Sequence, residues 1–188
     1  MELSILPEYD HTRDVQQYVT TLGNGRPETY GSRYVFSSID RTTISSEIRM
    51  TYTLRPDLNL DVYTEPFTSS GRYYGLAELL RGGARERLLY GTSGTVIERD
   101  AEGAWLISAG GDAIRLGNPD FLVRSFRSNV VLRWEWRIGS TLYVVWQQNR
   151  EARESMGVRA GLGDFFDSFT APGRHFFAIK TSFWVPFP

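Results

Sequence analysis

Hydrophobic and polar residues alternate with period two along most of this chain, which places successive side chains on opposite faces of an extended strand. From Ile44 to Leu54, the residues Ile44, Ile48, Met50, Tyr52 and Leu54 share one face, and Ser45, Glu47, Arg49, Thr51 and Thr53 share the other. A turn at Arg55-Pro56-Asp57 leads into a run in which Leu58, Leu60 and Val62 oppose Asn59, Asp61, Tyr63 and Glu65, so the two runs predict a hairpin. The pattern returns from Phe126 to Trp136, where Phe126, Val130, Leu132, Trp134 and Trp136 alternate with Arg127, Asn129, Val131, Arg133 and Glu135. Past a tight turn at Ile138-Gly139-Ser140, Leu142, Val144 and Trp146 alternate with Tyr143, Val145 and Gln147. The closing run sets Phe177, Ile179, Thr181, Phe183, Val185 and Phe187 against Ala178, Lys180 and Ser182. Near the N-terminus Leu3, Ile5, Pro7 and Tyr9 alternate with Glu2, Ser4, Glu8 and Asp10 in a strand expected to run on to Val19. Its mate across Gly23-Asn24-Gly25 is Arg33 to Ile39, the front of the second strand.

These runs predict an all-β fold, an antiparallel up-and-down sheet of about six long strands within a single domain over 1–188. Strand regions 1–67 and 122–188 flank an insertion over 68–121. The first half of the insertion, GLAELLRGGARERLLYG, has helical spacing broken at Gly82-Gly83, and the second, GTVIERDAEGAWLISAGGDAIRLG, predicts a small meander of short strands. A later loop over 149–174 holds one short helix candidate, DFFDSF. The turns at 55–57 and 138–140 are very short, whereas the connections at the other end, 22–31, 68–121 and 149–174, are long.

Alternation alone fits two solvents, because a soluble sandwich buries its apolar face while a membrane barrel turns that face to lipid around a polar lumen. Three features favour the membrane. Clean alternation lasts 11 residues in the second, fourth and sixth strands and 9 in the third. That is close to the about 9–11 that a tilted strand needs to cross a bilayer, against about 5–6 for a common soluble strand. Aromatics lie towards the ends of the apolar faces: Tyr52, Trp134, Trp136, Trp146, Phe177, Phe183 and Phe187. The short-turn and long-loop asymmetry is that of outer-membrane barrels. The lipid- or partner-facing set is then Ile48, Met50, Tyr52, Val62, Leu132, Trp134, Val144, Trp146, Ile179 and Phe183, and the lumenal set is Glu47, Arg49, Asp61, Glu65, Arg133, Glu135 and Lys180, whose charges of both signs are expected to cross-pair between strands.

Composition narrows the function classes. The chain has 188 residues and balances 21 basic against 22 acidic residues for a net charge of −1, which argues against a nucleic-acid partner. The absence of Cys removes disulfides, thiolate zinc sites and a Cys nucleophile, and His11 and His175 are its two histidines. No run approaches the apolar length of a transmembrane helix, and MELSILPEYD lacks the pattern of a signal peptide. The expectation is therefore either a piece of an exported precursor or, if Met1 is the native start, an intracellular chain.

The stretches RYVFSSIDRTTISSEIRMTYTLRPDLNLDVYTEPFTSSGRYYG, LGNPDFLVRSFRSNVVLRWEWRIGSTLYVVWQQNR and FFAIKTSFWVPF resemble the C-terminal region of large bacterial outer-membrane proteins. In that family an N-terminal module similar to carbohydrate-binding family 9 precedes a conserved barrel-type domain of unknown function. The resemblance covers nearly the whole chain and implies the C-terminal part of an outer-membrane β-barrel, with no catalytic residues to carry over. The binding module, preceding strands and signal peptide of that family are not in this sequence, and Phe187-Pro188 departs from the terminal aromatic of such barrels.

Other chemistry is weakly signalled. Asp61 with Glu65, and Asp164 with Asp167, are carboxylate pairs better read as wall charges and as the polar side of a loop helix whose Phe165, Phe166 and Phe169 pack down. ERDAEGAW and AGGDAIRLGNPD lack calcium-loop spacing and read as turns. His11 and His175 have no partners for a triad. Arg81, Arg85, Arg87, Arg150, Arg153 and Arg159 read as a solvated loop surface rather than a site for lipid phosphates. No metal or cofactor is expected. The reading is a non-enzymatic structural barrel protein of the outer membrane. Its alternative is a leaderless accessory subunit, peripheral to a membrane complex, whose apolar face is covered by a partner protein or by its own 68–121 segment. Six strands fall short of the about eight at which known barrels begin, so missing strands, other subunits or lipid are expected partners.

Overall fold

Every alternating run but the last forms a strand longer than its clean pattern, because the polar ends also find ladder partners, whereas the closing run pairs only to Ser182 and leaves Phe183 and Val185 beyond the strand. The computed structural model describes residues 1–109 and 111–185, so Phe187 and Pro188 lie outside the described residues. The main sheet contains β1 (Glu2–Leu22), β2 (Arg33–Arg55), β3 (Leu58–Leu79), β8 (Phe121–Arg137), β9 (Ser140–Glu154) and β10 (Gly173–Ser182). They are hydrogen-bonded in that order, every pair antiparallel, with a short β4 (Arg87–Leu89) beside β3. β5 (Val96–Arg99), β6 (Trp105–Ala109) and β7 (Asp112–Leu116) form a separate three-stranded meander, and α1 (Leu162–Asp167) is the short helix in the last loop. The protein is thus all-β, up-and-down and open, with β1 and β10 at the two edges.

The insertion departs from its expected form in one half. Gly75 to Leu79 is the end of β3, not a helix, and the chain returns as β4, pairing Leu89 with Ala77 and Arg87 with Leu79. The leucine spacing imitates a helix because β3 carries an extra residue between Tyr74 and Ala77, where Gly75 takes φ +62°. That bulge shifts the phase of the alternation and sends Leu76 into the core. The expected meander is present as β5 to β7.

Burial is concentrated at the long-loop end. Val35, Leu76, Tyr90, Ile107, Ala109 and Leu116 form the core, joined by half-buried Leu22, Ile97, Trp105 and Ile114. On β2 the buried residues Arg33, Val35, Ser37 and Ile39 share the phase of Thr43, Glu47 and Arg49, so the meander sits over the end of the polar face. This corrects the alternative in which 68–121 folds over the apolar face. The apolar residues of β5 to β7 pack with Val35 and Leu76, and Val35 breaks the polar character of its own face. Close packing is required here: a Cβ on Gly71 would meet the Phe121 ring at 2.4 Å.

Candidate functional site: an apolar band, a polar wall and a capped end

Residues directly opposite in an antiparallel pair project to the same face, so the register reads out each face row by row. One row runs Leu3, Met50, Val62, Val130, Trp146, Phe177, and the next runs Tyr52, Leu60, Leu132, Val144, Ile179. A third, nearest the short turns, runs Leu58, Trp134, Leu142, Thr181. The expected lipid- or partner-facing residues within the strands are therefore brought together, and Leu3, Leu60, Val130, Leu142 and Phe177 complete their rows. Phe183 lies just past β10 and packs edge-on against Trp136, with ring centroids 5.7 Å apart.

Among the described residues no element covers these rows: on the edge strands Ile179 is 72% exposed, Phe177 65% and Leu3 51%, and Met50, Val62, Leu132 and Val144 between them are half-buried. Above them the apolar surface continues on one side as Ile5, Ile48, Ile44 and Tyr9, whereas Ser128, Gln148 and His175 follow on β8 to β10. Just past β10 the apolar residues extend the other way, to exposed Phe183 and Val185. The apolar zone thus crosses the strands obliquely, as it must if strands tilted by about 35–45° traverse a layer of lipid. Trp134 marks its turn end, donating its indole N–H to the Asp57 carboxylate at 3.1 Å.

α1 sits on the same face nearer the long loops. Phe169 packs on Phe126 with ring centroids 4.8 Å apart, and the Ala160 backbone N–H donates to the Ser70 hydroxyl at 2.8 Å. Asp164 accepts from the Gly161 N–H at 3.0 Å and Asp167 pairs with Arg124 at 3.4 Å, so both carboxylates have local structural partners. Phe166 does not pack down as expected; it is 62% exposed and, with exposed Leu162, carries the apolar surface over the helix.

The opposite face is mixed in one of the same rows and polar in the next. Thr51, Asp61, Val131, Val145 and Ala178 form one row, and Asn59, Arg133, Tyr143 and Lys180 another. Glu47, Arg49, Asp61, Glu65, Arg133 and Lys180 all lie on this wall, and Glu135 is at its turn end, accepting from the Gly139 N–H at 3.1 Å. The expected cross-strand ion pairs are not formed among these residues. Arg49 instead pairs with Glu47 two positions along its own strand at 2.7 Å, and Asp61 accepts from the Thr51 hydroxyl across the strands at 2.9 Å. Their side chains are exposed enough for water to screen them, which removes the drive to pair.

The capped end holds a buried network that sequence spacing did not signal. Glu78, 2% exposed in its side chain, accepts from Arg33 at 2.9 Å and from the Tyr90 hydroxyl at 3.0 Å, and lies 3.3 Å from Arg26. Arg33 also donates to Asp112 of β7 at 2.7 Å, tying meander to sheet. Burial beside the Glu78 charge pushes the Tyr90 hydroxyl above its ordinary pKa. The five groups satisfy one another, so the network reads as a clasp rather than a catalytic centre. In ERDAEGAW, Asp100 accepts from the Glu102 and Ala104 backbone N–H groups and from Arg115, which is turn chemistry.

The remaining candidates have bland surroundings. His175 stacks on Trp146 at 6.0 Å, and His11 lies 3.1 Å from the Thr42 hydroxyl. Arg87 and Arg153 lie over the rings of Phe36 and Phe121, Arg150 donates to the Ala171 carbonyl, and Arg159 donates to the Tyr9 hydroxyl. Among the described residues no group of three or more acidic or histidine side chains is placed to hold a metal ion. No family model, curated protein or solved structure matches the chain.

Proposed function

We propose that this chain is part of the wall of a membrane-spanning β-barrel, a non-enzymatic structural element of a bacterial outer membrane whose apolar band meets lipid and whose polar face lines the lumen. The carrying observation is the register, which joins the apolar residues of six strands into one oblique band while the charged residues of the same strands gather on the reverse face. A water-facing sheet with such a band would expose it beside two unpaired edges, the arrangement that soluble proteins avoid. In a barrel the edges are closed by further strands, from the same polypeptide or from other subunits. The outer-membrane assignment draws on the sequence resemblance as well. The alternative, a peripheral accessory subunit, needs a partner protein over the same band, since 68–121 packs on the other face.

The test is the state of the 188-residue chain in buffer, neutral detergent and liposomes, followed by size-exclusion chromatography with light scattering and by protease protection. The reading expects association in buffer, a monodisperse particle in detergent, and liposome-dependent protection of β8 and β9. A stable monomer in detergent-free buffer contradicts it.

A further inference from the structure

We propose that the polar wall of β8, β9 and β10 carries a binding site for an acidic oligosaccharide. This goes beyond the barrel reading and rests on it only in that this face meets water. Tyr63, Asn129, Gln147 and Phe176 lie side by side on successive strands, an aromatic at each end and two carboxamides between. With neighbouring strands about 4.8 Å apart, this row spans about 14 Å, the length of a short run of sugar rings. The adjacent row towards the loops sets Arg127, Asn149 and Arg174 in line. Together they border a hollow of about 570 Å³.

Apart from Tyr63, over whose ring Arg49 lies at 5.4 Å, the polar groups here are little used by the fold. The Asn129 side-chain oxygen is buried without a hydrogen-bond partner. Glu65 stands directly opposite Arg127, yet accepts from the Tyr63 hydroxyl of its own strand at 3.4 Å and forms no ion pair with that guanidinium. Among the described residues the side chains of Gln147, Asn149 and Arg174 likewise have no hydrogen-bonding partner. Guanidinium forks match carboxylates, carboxamides both donate and accept as vicinal hydroxyls require, and aromatic side chains stack on the apolar faces of pyranose rings. Neutral sugars leave the two arginines unanswered, and a simple anion leaves the amide row and aromatics unused. A sugar chain bearing carboxylates answers all three.

The experiment is calorimetric titration of the full chain in neutral detergent with trigalacturonate and with its methyl ester, which keeps the hydroxyls and removes the charge. The proposal expects the acid to bind and the ester to bind at least about tenfold more weakly, with Arg127→Gln, Arg174→Gln and Gln147→Leu each lowering affinity for the acid by about tenfold. Lys180→Gln, two rows away on the same wall, is expected to leave it unchanged. Equal binding of acid and ester, no binding of the acid, or equal losses from Arg174→Gln and Lys180→Gln would overturn the site. Liposome protection measured on the same preparations separates the two readings: protection without saccharide binding removes the site and keeps the barrel, and binding without protection does the reverse.

Discussion

At the loop end of the sheet Val35, Leu76, Ile107 and Tyr90 are 4% exposed or less, whereas at the turn end Phe177 and Ile179 are 65% and 72% exposed. β2 and β3 contribute to both regions, Val35 and Leu76 to the core and Met50 and Val62 to the band, and the regions differ in what the chain supplies to cover them. The loop end receives a three-stranded meander, a short strand and a clasp of charged groups. The turn end receives connections too short to fold back, at 55–57 and 138–140. One end of the molecule therefore buries its apolar surface within the chain, and the other presents it to the surroundings. On the barrel reading the turn end meets lipid and the loop end does not, and that difference can be broken from either side.

The largest expected effect is at the clasp. Glu78→Ala leaves Arg33 and Tyr90 buried without their carboxylate and is expected to cost about 3–5 kcal/mol of local stability. Limited proteolysis should then cut 91–119 while leaving β8 to β10 protected in detergent. The same network sets a pH edge. Because the Tyr90 proton is held more tightly in the fold than at the ordinary value of 10.0, its contribution is complete below pH 10 and is lost as pH rises through the folded value. Tyr90→Phe should flatten that alkaline loss, measured as protease resistance against pH.

A smaller effect sharpens the other region. Leu132→Arg in the middle of the band is expected to cost about 2–4 kcal/mol in lipid, and Val131→Arg, its neighbour on the polar wall, much less, by denaturant titration in liposomes. Trp134→Arg should be milder than Leu132→Arg, because Trp134 lies at the turn end beside Asp57. Smaller again is Gly71→Ala, which drives a methyl group into Phe121 and is expected to cost about 1–3 kcal/mol through the capped end alone.

The band was legible in the sequence because period two survives in every strand that forms it, and the register then joined faces that alternation had already sorted. Ile48, Val62, Leu132 and Val144 needed no tertiary information. The clasp was not legible, since Arg33 and Glu78 are 45 positions apart and meet only because the Gly75 bulge rephases β3. The leucines after Gly75 imitated a helix for the same reason. α1 was found from its aromatic cluster, but its Phe166 faces outward because the helix is laid over a surface already apolar, which a helical pattern alone does not foretell.

The chain has no cysteine, so a nitroxide can be placed at one site at a time without background. Val144→Cys and Val145→Cys put labels on opposite faces of β9 at the same depth, and their collision rates with oxygen and with a water-soluble nickel chelate in liposomes report lipid and water respectively. The account predicts that 144 is reached by oxygen and shielded from nickel, that 145 is the reverse, and that the alternation repeats at 130 and 131. Equal nickel access at both positions, or the inverse alternation, would contradict it.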